Sequence, residues 1–148
     1  MKVDDALRNV TRIFLDSAPV IYFVERHPQY LPVVKRVFTR IDEGTLPAIS
    51  SPMTLLECLV LPCRLRQVNV QRDFTDLIVS GQGIIFVPLA APTARRAAEL
   101  RANYNLPTAD ACQIATALES GCDAVLTNDH DLKRVQEITI LLIDELEV

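Results

Sequence analysis

The stretch Ile13-Phe14-Leu15-Asp16-Ser17-Ala18-Pro19-Val20-Ile21-Tyr22 decides the fold. Arg12 to Leu15 reads as a short apolar strand closed by an acid, and a helix from about Ala18 to Glu25 should follow. The same order recurs along the chain. Leu46 to Ile49 is a second strand. Ser51-Pro52 then starts a helix, with Ser as N-cap and Pro at the first helical position, running to about Leu61, before Pro62. Ile84 to Val87, Ala124 to Leu126 and Ile138 to Ile143 are the remaining strands. Helices fill the intervals. One starts at Pro28, carries Leu31, Val34, Val37, Phe38 and Ile41 at helical spacing, and stops at Gly44. Others span Arg64 to Val79, Thr93 to Asn103 and Thr108 to Ser120, with a short one over Asp129 to Val135. Strands separated by helices predict a parallel sheet. Short, almost wholly apolar strands are those covered on both faces.

A length of 148 residues predicts one domain, and 49% hydrophobic with 23% charged residues allows a full core. The longest apolar candidate, Ile13 to Val24, is broken by Asp16, Ser17 and Pro19, far short of the ~18–20 residues that span a bilayer. The start, MKVDDALRNV, carries two acids where a signal peptide needs a basic residue and an apolar run. A soluble, cytoplasmic protein without membrane partners is expected. Cys58, Cys63, Cys112 and Cys122 form no close pair, and the only histidines are His27 and His130, so zinc is not expected. The four cysteines read as small buried hydrophobes in a reducing compartment.

The formal net charge is −4, and its distribution is uneven. From Arg64 to Arg101, six arginines (64, 66, 72, 95, 96, 101) face three acids (73, 76, 99), a local +3. From Ala102 to Val148, nine acids face Lys133 and Arg134, a local −7. Twelve of the fifteen cations are Arg, the residue suited to bidentate phosphate contacts. Arg64, Arg66, Arg95, Arg96 and Arg101 are therefore candidate phosphate-backbone contacts, with solvated helix faces as the competing reading. Aromatic content is 5% and Trp is absent, which disfavours a single-strand binder built on stacking.

In open parallel sheets ligands bind beyond the carboxyl ends of the strands, and here those ends collect acids. Asp16 closes the first strand. Glu57 lies about two turns into the helix after the second. Asp110 is in the first turn of its helix, and Asp129 follows the fourth strand, with Asp131 two residues on. Carboxylates crowded at one edge repel one another. A hard divalent cation, Mg²⁺ or Mn²⁺, resolves the conflict with oxygen ligands and retained waters. Asp16 and Asp110 also suit plain helix starts, but Glu57 has no capping role. An aspartyl phosphotransferase would want a second Asp two residues after the first, where this chain has Ala18.

Four blocks carry a family resemblance. They are Ile13 to Tyr22; Ile49-Ser50-Ser51-Pro52-Met53-Thr54-Leu55-Leu56-Glu57; Leu106-Pro107-Thr108-Ala109-Asp110-Ala111 with Ile114-Ala115; and Val125-Leu126-Thr127-Asn128-Asp129. In order and separation they resemble the motifs of PIN-domain nucleases, and among these the VapC-like toxins of toxin–antitoxin systems. The resemblance covers about residues 12 to 143. It implies a three-layer α/β/α domain with a short, mostly parallel five-stranded sheet, and Mg²⁺- or Mn²⁺-dependent cleavage of RNA. It also implies a cognate antitoxin and a homodimer through the helices around Tyr22 to Phe38. Carried over by position, Asp16, Glu57, Asp110 and Asp129 are the catalytic and metal-binding acids. Asp131 competes for the fourth place, and Ser17 and Thr127 are hydroxyls that orient carboxylates or water. Residues 1–11 form an N-terminal extension that many such toxins lack. The alternative within the same fold is an RNA-binding module without catalysis, which would need a broken acidic set.

Overall fold

The structure is a computed structural model that describes all 148 residues. Strands β1 (Ile13–Leu15), β2 (Ala48–Ser50), β3 (Ile84–Phe86), β4 (Ala124–Thr127) and β5 (Thr139–Leu142) form one sheet in the order β3-β2-β1-β4-β5. Every pairing is parallel. The strands are short, and β1, β2 and β4 are buried along their whole length. Their residues alternate between two cores, one on each face of the sheet, because successive side chains of a strand point to opposite faces.

Ile13 and Leu15 of β1, with Ala124 and Leu126 of β4, join the first core. That core is completed by α2 (Ser17–Val24), α3 (Leu31–Asp42) and α5 (Val68–Ser80) through Val20, Val34, Val37, Phe74 and Ile78. Phe14, Ile49 and Val125 enter the second core, built with α6 (Ala91–Tyr104) and α7 (Thr108–Glu119) through Ala97, Leu100 and Ile114. The result is three layers, α/β/α. Burying both faces is why the strands show no polar alternation in sequence. No helix is long and apolar enough to cross a membrane.

Two local expectations change. Helix α4 (Pro52–Arg64) does not stop before Pro62 but runs through it. Proline forfeits its N–H bond and crowds the carbonyl four residues back, but Pro62 lies in the last turn, which is closed by Leu65 N–H to Leu61 (3.0 Å) and Gln67 N–H to Pro62 (2.9 Å). The next helix begins at Val68 rather than Arg64, because the chain reverses at Arg66, with φ +55°. Residues 1–11, the N-terminal extension, pack into the domain. Helix α1 (Val3–Ala6) buries Val3, Leu7 is fully buried, and Val3 N–H donates to Glu147 at 2.9 Å, tying the first residues to the last.

Candidate active site

The strand order places the carboxyl ends of β1 and β4 side by side at the sheet centre. Successive connections leave this point in opposite directions, as at the ligand crevices of open α/β sheets. Asp16 leaves β1 there. It occupies the N-cap position of α2, yet its side chain caps nothing. Instead its Oδ2 accepts a hydrogen bond from Thr127 Oγ1 at 2.7 Å, and its Oδ1 faces Gln113 Nε2 at 3.4 Å. The plain helix-start reading of Asp16 therefore fails on geometry.

Thr127, fully buried at the end of β4, also accepts the Asp129 N–H at 3.0 Å. One hydroxyl thus links the first acid to the fourth. Asp129 Oδ1 accepts the Asp131 N–H at 3.0 Å and starts a 3₁₀ turn over His130–Arg134. Half-buried Asp129 lies at the strand end, whereas Asp131 is exposed. His130, beside both, bonds through Nε2 to Asp144 Oδ2 at 2.8 Å.

Helix α4 brings in Glu57. Ser51 caps this helix by accepting the Thr54 N–H at 3.2 Å. Ser17 Oγ reaches Glu57 Oε2 at 3.5 Å, the long end of hydrogen-bond range. Glu57 Oε1 is buried and has no partner, the one such side-chain atom in the protein. Asp110, half-buried in the first turn of α7, makes no side-chain capping bond.

Electrostatics tie these acids into one group. The Glu57 carboxyl is pushed up to about 7, first by burial and then by the charges of Asp16 and Asp110. The Asp110 carboxyl is pushed up to about 6 by burial, then by Asp129, Asp16 and Asp131, with Arg134 opposing. The acids share a field without closing into a finished cage: no three His, Cys, Asp or Glu side chains converge as a metal-ligand set. Mg²⁺ keeps several waters and takes only one or two carboxylates directly, so a loose group of hard oxygen donors suits it. An orphaned, buried carboxylate oxygen facing like charges is the feature that a cation would satisfy.

Residues 13–138 match the PIN domain family. The chain belongs to that family. No curated protein sequence matches it significantly. Among solved structures, this PIN domain is similar to a chain of Rickettsia felis VapBC2 bound to a promoter DNA fragment, with a TM-score of 0.70 at 14% identity. That match covers 88% of this chain and 98% of the other. It is also similar to a chain of FitAB bound to the IR36 DNA fragment (TM-score 0.67, 21% identity, 92% and 98% covered). A third is Mycobacterium tuberculosis VapC20, a Sarcin-Ricin loop cleaving toxin (TM-score 0.66, 16% identity, 86% and 98% covered).

The arginines of this PIN domain divide by task. Arg64, Arg66 and Arg95 are exposed and Arg96 is half-buried, and none of the four makes an ion pair. Arg101 braces the α6–α7 turn instead, donating from Nε to the Leu106 carbonyl and from Nη1 to Thr108 Oγ1, each at 3.0 Å. That turn leads directly to Asp110. Of the cysteines, Cys58, Cys112 and Cys122 are buried as expected, but Cys63 is exposed on α4, and all four are free thiols. Phe23 and Phe38 stack on each other at 4.2 Å and pack on the first core.

Sequence reasoning assigned no site role to Gln113, to Thr54 or, beyond its helix cap, to Ser51, which form a buried polar group behind Asp16. A signal was available. Gln113 lies three residues after Asp110, on a helix whose neighbouring positions are Ala111, Cys112, Ile114 and Ala115. A long amide in such an apolar run needs partners.

Proposed function

We propose that this PIN domain is a Mg²⁺- or Mn²⁺-dependent endoribonuclease and the toxin of a toxin–antitoxin pair. The observation that carries the metal-dependent part is Glu57 Oε1, buried and unpartnered among carboxylates on separate segments. Asp16, Glu57, Asp110 and Asp129 would hold the ion, with Asp131 at the exposed margin. A divalent ion bound there supplies charge neutralisation at the phosphodiester and acidifies water into a nucleophile. The chain's own residues do the rest. Thr127 holds Asp16 and Asp129 in one frame, and Ser17 steadies Glu57. Glu57, with its carboxyl pushed up to about 7 by burial and by Asp16 and Asp110, would hold the ion as a carboxylate, so binding near neutral pH would be coupled to loss of its proton.

The toxin assignment draws on family membership and on likeness to chains of solved toxin–antitoxin complexes. The same reading includes a cognate antitoxin, which lays an Arg or Lys among the acids, and a homodimer through the helices around Tyr22 to Phe38. The non-catalytic RNA-binding alternative would need a broken acidic set, and all four acids are present, Asp16 and Asp129 just after β1 and β4, and Glu57 and Asp110 on helices α4 and α7.

Purified protein is expected to cleave RNA with Mg²⁺ or Mn²⁺ and to lose all cleavage in excess EDTA, with recovery when Mn²⁺ is restored. Full cleavage in EDTA would exclude the mechanism. The unpaired arginines provide a separate test. Replacing Arg64, Arg66, Arg95 and Arg96 together by Gln should weaken RNA binding for all sequences. It should also flatten the dependence of log affinity on log salt by roughly 0.7 per lost single-strand contact. Anisotropy titrations at several salt concentrations measure this. Unchanged affinity would make these side chains solvated helix faces. Replacing Arg101 should in addition lower the unfolding temperature, because it braces the α6–α7 turn.

A further inference from the structure

Gln113 is 1% exposed, and its amide joins three segments of the chain. Its Oε1 accepts the hydroxyl of Ser51, and its Nε2 donates to Thr54 Oγ1 at 2.7 Å while facing Asp16 Oδ1 at 3.4 Å. Chemistry decides which way round the amide lies. Thr54 Oγ1 has a single proton and gives it to the Leu15 carbonyl at 2.9 Å. Towards Gln113 the Thr54 oxygen can therefore only accept. The NH₂ end must face Thr54, and with it Asp16. One N–H serves Thr54, and the second is aimed at the carboxylate.

We infer that Gln113 is a positioning residue for the acidic centre: it fixes the Asp16 carboxylate from the side opposite Thr127 and couples it to α7, the helix that carries Asp110. The inference rests on reading Asp16 and Asp110 as cation ligands. Thr127 takes Asp16 Oδ2 and Gln113 takes Oδ1, so neither rotation of the carboxylate is free. The bonds to Ser51 and Thr54 tie α7 to the start of α4, and the second N–H has Asp16 as its acceptor. Leu or Met would fill the same volume in an apolar helix face and would not bury an amide that demands three polar partners. The polar choice is accounted for by the N–H that reaches Asp16. Residues behind metal ligands that fix their orientation typically govern affinity by 10–100-fold.

The test compares wild type with Gln113→Met, which keeps the length and loses the donor. Val37→Ala, a cavity in the first core, serves as a destabilised control. Three quantities are read: Mn²⁺ affinity by electron paramagnetic resonance, the Asp16 carboxyl ¹³C resonance in EDTA (assigned with Asp16→Asn), and the unfolding temperature. Gln113→Met is expected to weaken Mn²⁺ binding by about 10-fold or more and to shift the Asp16 resonance. In RNA cleavage, kcat should fall while KM stays within about twofold. Val37→Ala should lower the unfolding temperature and leave both Mn²⁺ affinity and the Asp16 resonance in place. If Gln113→Met does not fold, Gln113→Asn, an amide too short to reach Asp16, is read in the same way. Unchanged Mn²⁺ affinity or an unmoved Asp16 resonance would overturn the inference. So would a loss of affinity that merely tracks unfolding temperature across both variants. If wild type cleaves no RNA, the ribonuclease reading fails, while the resonance in EDTA still decides whether Gln113 holds Asp16.

Discussion

Asp110→Asn is expected to abolish RNA cleavage and, in EDTA at pH 8, to raise the unfolding temperature above that of wild type. The amide keeps the shape of the carboxylate, so no cavity opens. It removes one charge from a group in which Asp129, Asp16 and Asp131 together outweigh the single opposing Arg134. The sign of the pH dependence follows from the raised carboxyls. Asp110 moves from 3.8 to about 6, and Glu57 from 4.5 to about 7. A raised carboxyl means that the native state binds its proton more tightly than the unfolded chain does. Wild-type stability is therefore full below about pH 4 as far as these groups are concerned. It is lost as pH rises through the window up to about 7. Asp110→Asn removes one of the two groups and relieves the other, since Asp110 is among the charges that raise Glu57. The advantage of the variant should thus shrink towards pH 5 and grow towards pH 8. Saturating Mn²⁺ should reverse the ranking. Binding to the native state adds about 2.7 kcal/mol at a hundredfold excess over Kd, and the variant has lost a ligand. Thermal unfolding with EDTA and with Mn²⁺, from pH 5 to pH 8, measures all of this. A variant markedly less stable in EDTA would make Asp110 a structural helix-start acid.

Thr127→Val should damage both stability and chemistry, unlike Asp110→Asn. The side chain is fully buried, and its hydroxyl both donates to Asp16 Oδ2 and accepts the Asp129 N–H. Valine preserves the volume and leaves two buried polar groups without their partner. Each orphaned group costs about 1–3 kcal/mol, so a loss of about 2 kcal/mol or more is expected. In a domain of this size that lowers the unfolding temperature by roughly 4–8 °C. Mn²⁺ affinity and cleavage should fall by about 10–100-fold as the frame joining Asp16 to Asp129 loosens. Thr127→Ser keeps the hydroxyl and should recover most of the metal affinity. A Thr127→Val protein with wild-type metal binding would show that the hydroxyl supports the strand end and nothing more.

The sequence by itself determined the class of fold, and it supplied the acids that the proposed function assigns to the ion. Short apolar runs ending in a polar residue and separated by helices admit few arrangements other than a parallel sheet covered on both faces. The acids were visible because each stands at a strand end or in the first turns of the next helix, where local signals such as Ser51-Pro52 are strong. What lay beyond the sequence was anything set by contacts between distant segments. The run of α4 through Pro62 and the reversal at Arg66 depend on neighbouring turns that override local propensity. Arg101 looked like its fellow arginines until the fold set it against Leu106 and Thr108. How the N-terminal extension packs, with Val3 and Leu7 buried and Val3 bonded to Glu147, was set by a contact across the whole chain. The relation of Asp16 to Thr127 and Gln113 spans 111 and 97 residues of chain. Hydrogen bonds across such separations leave no periodic trace in a single sequence. The adjacency of β1 and β4 at the sheet centre brings Asp16 to Thr127, while helices α7 and α4 deliver Gln113 and the unpartnered oxygen of Glu57 that points to a cation.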